Sequence, residues 1–219
     1  INSIFIFNFL REFPIDTSIN QPWIFYIDLY YNNIRGEKLS SEVLKNLPNL
    51  WALYLGQNPL GIIQAGTFKH LTKLQILSLS YDEIHHLDEK CFEGLNNLQY
   101  LKFTDNPIIQ FPKYVFKPLR SLKTLIILTT NLIDLEPETL KDLRQLRHLT
   151  IANSYLRRIP NGTFMNNKEL TYLNLESNKI NFLSNYTFYG LNKLRFLNLK
   201  LNPIQHVINN LNLVLPMLS

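Results

Sequence analysis

Tyrosine and tryptophan supply most of the side chains in this sequence that could do chemistry at a surface: Tyr26, Tyr30, Trp51, Tyr54, Tyr81, Tyr100 and Tyr172. A phenol or indole offers a large contact area, a polar tip and few rotatable bonds, so the chemistry on offer is adhesion to a partner. Ile126 and Leu128 join this set because the pattern described below turns both toward solvent on the same surface, and Arg147 adds a cation beside it. Reaction chemistry finds no support. The chain contains no nucleophile elbow, phosphate-cradling glycine run or HExxH pair. Acid pairs such as Asp88-Glu89 fall in return loops and read as solubilising charge. His85-His86 has no Cys, Asp or Glu cluster at ligand spacing around it, so neither a metal site nor a cofactor is expected, and the chain is read as not an enzyme.

Two further residue types bear on modification. Cys91 is the only cysteine, which rules out an intrachain disulfide. Thr67, Val115, Thr139, Thr163 and Thr187 take its place in equivalent segments, so a small packed side chain is the expectation rather than a bridge to another chain. Asn161-Gly162-Thr163 and Asn185-Tyr186-Thr187 are sequons 24 residues apart, so Asn161 and Asn185 are candidate glycosylation sites on successive loops.

The elements that hold these residues follow from a repeat. A leucine-type frame starts at Ile24, Leu50, Leu74, Leu98, Leu122, Leu146, Leu170 and Leu194, with one interval of 26 residues and six of 24. A fixed period of this length means one small unit stacked along an axis. Positions one, four and six are apolar, as in Leu74-Gln75-Ile76-Leu77-Ser78-Leu79, and positions three to seven alternate as a strand with one buried face should. Position nine is Asn in Asn32, Asn58, Asn106, Asn178 and Asn202, where an amide can satisfy backbone groups at the bend. Asp82, Thr130 and Ser154 are the exceptions. Apolar residues recur at positions eleven, fourteen, nineteen (mostly Phe) and twenty-two, where Asn167 is the outlier. One coil cannot bury these groups alone; stacked coils make a continuous core.

This pattern resembles the extracellular, 24-residue type of leucine-rich repeat, and is most similar to Toll-type receptor ectodomains and their soluble invertebrate relatives. The resemblance implies an α/β leucine-rich-repeat solenoid: a curved right-handed coil with a parallel β-sheet on the concave face and an irregular or short-helical convex side. We read residues 1–219 as a single solenoid, with 1–23 a degenerate N-terminal repeat or cap, 24–193 seven full repeats and 194–219 the last repeat and C-terminal end. A two-residue expansion around Arg35-Gly36-Glu37-Lys38 is placed in a convex or edge loop. Both ends read as cut from something longer. Asn8, Leu10, Phe13 and Pro14 fit positions nine, eleven, fourteen and fifteen of a preceding unit, and Leu215-Pro216-Met217-Leu218 reads as a junction into another. No apolar run approaches the ~18 residues of a membrane span.

Positions three, five, seven and eight are expected to point outward from the concave face, position eight with room to turn sideways. Eight strands about 4.8 Å apart give a row of about 34 Å, which suits a protein surface or extended peptide better than a metabolite. Position two forms a basic column from Lys123 and Arg147 to Arg195. The net charge of +5 favours an acidic partner or an anionic surface. Nucleic acid is not the expected partner, because Lys and Arg are spread over return loops as well. The reading is a secreted, extracellular recognition protein of innate immunity that binds a protein ligand or receptor, as a Toll-like soluble receptor or decoy. A fragment of a larger adhesion or signalling receptor and an intracellular scaffold stay open as alternatives. A homodimer through the concave face or uncapped ends is a further expectation.

Overall fold

The computed structural model describes residues 3–5, 9–14 and 19–205; Asn8, Val207 and the junction at 215–218 lie outside them. The strands are β1 (Ser3–Phe5), β2 (Tyr26–Asp28), β3 (Ala52–Tyr54), β4 (Ile62–Ile63), β5 (Ile76–Ser80), β6 (His86–Leu87), β7 (Tyr100–Asn106), β8 (Thr124–Thr130), β9 (His148–Ala152), β10 (Tyr172–Asn174) and β11 (Phe196–Asn198). Nine of them form one sheet in the order β1-β2-β3-β5-β7-β8-β9-β10-β11, and β4 pairs with β6 on the return side. Every pairing is parallel. Its register is the sequence period: Ile76 lies beside Tyr100, Tyr100 beside Thr124, and Thr124 beside His148.

The core sits between the sheet and the return segments. Leu53, Leu77, Leu101, Leu125, Leu149 and Leu173, all at position four, have no exposed surface. Position nineteen builds a spine of stacked rings, with Phe68–Phe92 centroids 6.3 Å apart and Phe92–Phe116 6.0 Å apart. Leu140 interrupts it, at the end of the helical turn α2 (Pro137–Leu140), and Phe164–Phe188 resumes it at 6.4 Å. Asn167 replaces an apolar residue yet is wholly buried. Its Nδ2 donates to the carbonyls of Leu140 and Leu143, so it closes the preceding coil by hydrogen bonding instead of packing.

At the bend, Asn58 shows why an amide is wanted. Its Nδ2 donates to the Leu29 carbonyl of the coil before and to Leu55 of its own, while Oδ1 accepts from Ile34 N–H. Asn178 and Asn202 repeat this arrangement. Thr130 and Ser154 replace it with a shorter hydroxyl pair 2.9 Å apart. Just before the bend, position eight is left-handed in every coil, with φ between 51° and 62° from Tyr31 to Leu201. That backbone turns the chain out of the strand, and its side chain with it.

The two-residue expansion becomes a 3-10 turn at Gly36–Lys38 followed by the helical turn α1 (Ser41–Leu44). The turn packs against β4. Gly36 is required because a Cβ would run into the carbonyl oxygens of Leu60 and Ile62. Leu10 and Phe13 join the first coil as their register predicts: Leu10 N–H donates to Asn32 Oδ1, and Phe13 is buried.

Candidate binding face

Successive coils bring four tyrosines around one depression on the sheet. Tyr30 arrives from position seven, Tyr54 from position five, Tyr81 from position eight and Tyr100 from position three. With Ile76, Ser78, Ser80 and Lys102 they line a cavity of 380 Å³. Tyr26 extends the wall, its ring 5.3 Å from Tyr54 and 6.3 Å from Trp51. The floor is made of small residues. Ser78 and Ser80 are buried, their hydroxyls 3.5 Å apart, and Ala52 is covered completely. Positions three to seven therefore do not all present themselves to a partner. Where the outward side chain is small, bulkier neighbours on adjacent coils cover it.

Gly56 makes the arrangement fit. A Cβ there would stand 2.8 Å from the Tyr30 ring and 2.9 Å from the Ser80 carbonyl, so only glycine lets that ring lie over the strand end. No motif singles out Gly56; its signal in the sequence is a lone glycine at position seven, where other coils carry side chains. Two acids hold the rim. Asp28 Oδ1 accepts from Tyr30 N–H at 3.0 Å, and Tyr26 donates its hydroxyl to Asp28 Oδ2 at 3.5 Å. Burial, and then the Asp28 charge, push the phenols of Tyr26 and Tyr54 above their ordinary range. Burial does the same for Tyr100. For Tyr81 the Asp105 charge is the main cause. Tyr26, Tyr54, Tyr81 and Tyr100 thus stay protonated at neutral pH. Tyr26 gives its one O–H to Asp28 and Tyr81 is hydrogen-bonded to Asp105, so Tyr54 and Tyr100 are the ones left to donate to a ligand.

The other candidate residues fall elsewhere. Ile126 and Leu128 lie on β8, half-buried, beside Lys102 and Thr104 of β7, and outside the tyrosine cavity. Tyr172 belongs to a ladder of rings on successive strands, 5.8 Å from His148 and stacked on Phe196 at 4.4 Å. Trp51 and Arg147 occupy position two, where the chain enters the strands. There Trp51, 40% exposed, lines an edge cavity of 350 Å³ with Phe25, Asn49, Lys73, Gln75, Asn97 and Gln99.

Asn161 and Asn185 are exposed on neighbouring return loops. Ser184 Oγ donates to Asn161 Oδ1 at 2.5 Å, tying the two loops together. Cys91 is wholly buried, and burial pushes its thiol well above the ordinary value. Among the described residues no group of three or more His, Cys, Asp or Glu is placed to hold a metal, and no helix is long and apolar enough to cross a membrane.

No curated protein matches the chain by sequence. Among solved structures, the crystal structure of a TLR13–ssRNA13 complex superposes with a TM-score of 0.81 over 90% of this chain, at 24% identity. The match spans 31% of that longer chain. The sequence profile of the leucine rich repeat matches residues 58–108 and 144–204, more than half of the sequence. With the period, the sheet register and the bend amides all in agreement, the chain belongs to the leucine-rich repeat family.

Proposed function

We propose that the chain is a non-enzymatic, extracellular recognition protein that binds a protein partner through the tyrosine-lined part of its concave face. The observation that carries this reading is the convergence of Tyr30, Tyr54, Tyr81 and Tyr100 on one 380 Å³ depression, with Tyr26 continuing the aromatic wall. A preformed cavity with donor phenols takes a projecting side chain without ordering a loop, which lowers the entropy cost of association. Ile126 and Leu128 extend the surface, and Tyr172 and Arg147 bound it. Residues 1–219 act in this reading as one solenoid. Secretion with glycans at Asn161 and Asn185, and an innate-immune role as a soluble receptor or decoy, rest on the similarity to a Toll-like receptor structure. Use as part of a longer receptor is equally compatible with the 31% span.

The solved relative is in complex with ssRNA13. A single strand binds best where bases can stack on open aromatic faces. Here Phe196 stacks on Tyr172 at 4.4 Å and the tilted His148 ring lies 5.8 Å away, which leaves Tyr172 little open face for a base and supports a protein partner. The test is capture from extracellular fluid by the intact chain, by Tyr54→Ala/Tyr100→Ala and by Ile126→Asp/Leu128→Asp. Each pair should lose the partner while circular dichroism stays unchanged. Equal recovery of the same partner by all three refutes the concave reading.

A further inference from the structure

The strand-entry edge, formed by positions two and twenty-four, has a chemistry of its own. It begins at the exposed rings of Trp23, Phe25 and Trp51, continues as amides and ends mainly as cations. The side chains are tied from coil to coil. Gln99 Nε2 donates to Gln75 Oε1 at 3.3 Å, and Lys123 Nζ donates to Gln99 Oε1 at 2.9 Å, each across 24 residues. Arg147 and Arg195 carry the column on, both exposed and neither in an ion pair among the described residues. Across these two positions Lys73, Lys123, Arg147, Lys193 and Arg195 face a single carboxylate, Glu169. Lys193 holds that acid at 2.6 Å, and the Arg147 charge also reaches it. The charge of the whole chain is polarised the same way. Residues 113–219 carry fourteen Lys and Arg against six Asp and Glu, whereas residues 1–112 carry eight against eleven.

We propose that this edge is a second binding surface, separate from the tyrosine cavity, for a linear sulfated glycan. Parallel coils about 4.8 Å apart present side chains at a repeat close to the rise of a pyranose ring in an extended polysaccharide. Amides such as Gln75 match sugar hydroxyls as both donor and acceptor. The indole of Trp51 suits the apolar C–H face of a ring, and the guanidinium forks of Arg147 and Arg195 suit sulfate oxygens. A stiff polysaccharide loses little conformational freedom on lying along a stiff ladder. An acidic peptide would leave the aromatic and amide end without a role, and a single-stranded nucleic acid would need open ring faces that this edge does not offer beyond its aromatic end.

The test is titration of the full chain with a heparin-derived octasaccharide, beside a U-rich RNA and a poly-glutamate peptide of equal charge. Arg147→Ala/Arg195→Ala should weaken octasaccharide binding at least about tenfold and flatten its salt dependence, as expected for lost charge-assisted contacts. Trp51→Ala/Gln75→Ala should weaken it about tenfold with the salt dependence unchanged, from lost packing and an amide contact. Tyr54→Ala/Tyr100→Ala should leave it unaltered, so this surface and the concave one fail or succeed separately. No octasaccharide binding, indifference to either edge pair, or RNA or poly-glutamate binding as tight as the octasaccharide overturns the proposal.

Discussion

Asp82 offers the sharpest test of the packing argument. It stands where five coils have Asn, and it is wholly buried. Its Oδ1 accepts from Asn58 N–H at 2.9 Å, but Oδ2 is buried without a hydrogen-bond partner among the described residues. In the coil before, the equivalent nitrogen of Asn58 donates to the carbonyls of Leu29, Leu55 and Gly56. A carboxylate can imitate that donor only by keeping its proton, and burial accordingly pushes the Asp82 pKa from 3.8 to about 9. The folded value lies above the unfolded one. The folded chain therefore holds a proton that unfolding releases, and this group's contribution to stability is full below about pH 4 and is lost as pH rises toward 9. At about 1.4 kcal/mol per pH unit, the loss between pH 5 and 8 is about 4 kcal/mol. Asp82→Asn removes the titration and restores the missing donor. Urea denaturation of both proteins at pH 5, 6.5 and 8, followed by circular dichroism, should show the variant gaining about 4 kcal/mol on the parent across that range. Other titrating groups cancel in the comparison. Two parallel stability curves would refute the reasoning, because they would mean that Asp82 is solvated or ionised in the folded chain.

Gly56→Ala should displace the Tyr30 ring and weaken partner capture while leaving the spectrum of the fold in place; unchanged capture would show that the ring position is irrelevant. Cys91 should resist maleimide in the native chain and react at once in urea, since its buried thiol keeps its proton; fast native labelling would contradict the packing. Thr129 is a β-branched residue at φ 53°, so Thr129→Asn should stabilise the chain by about 1 kcal/mol in the same denaturation assay, and a loss of stability would show that the threonine methyl contributes packing.

The ring of side chains at the tyrosine cavity was only partly legible beforehand. Tyr54 and Tyr100 sit at positions five and three, and their outward direction follows from strand alternation alone. Tyr81 sits at position eight, where alternation has ended and the left-handed backbone sets its direction. Ser78, Ser80 and Ala52 occupy outward positions yet are covered, because larger side chains from neighbouring coils close over them. Nothing within one coil's sequence announces that.

The 24-residue period by itself determined the stacking and the sheet register, because every coil must bury the same seven kinds of position against its neighbours. It also determined the amide-rich bend, since backbone donors and acceptors there need a two-way partner in each coil. The tertiary structure alone decided which aromatic rings meet, which hydroxyls form a floor, and that Asp82 must hold its proton. These outcomes depend on distances between side chains from different coils and on the water removed around them. A repeat fixes which way a residue faces; only the folded neighbourhood fixes what stands beside it.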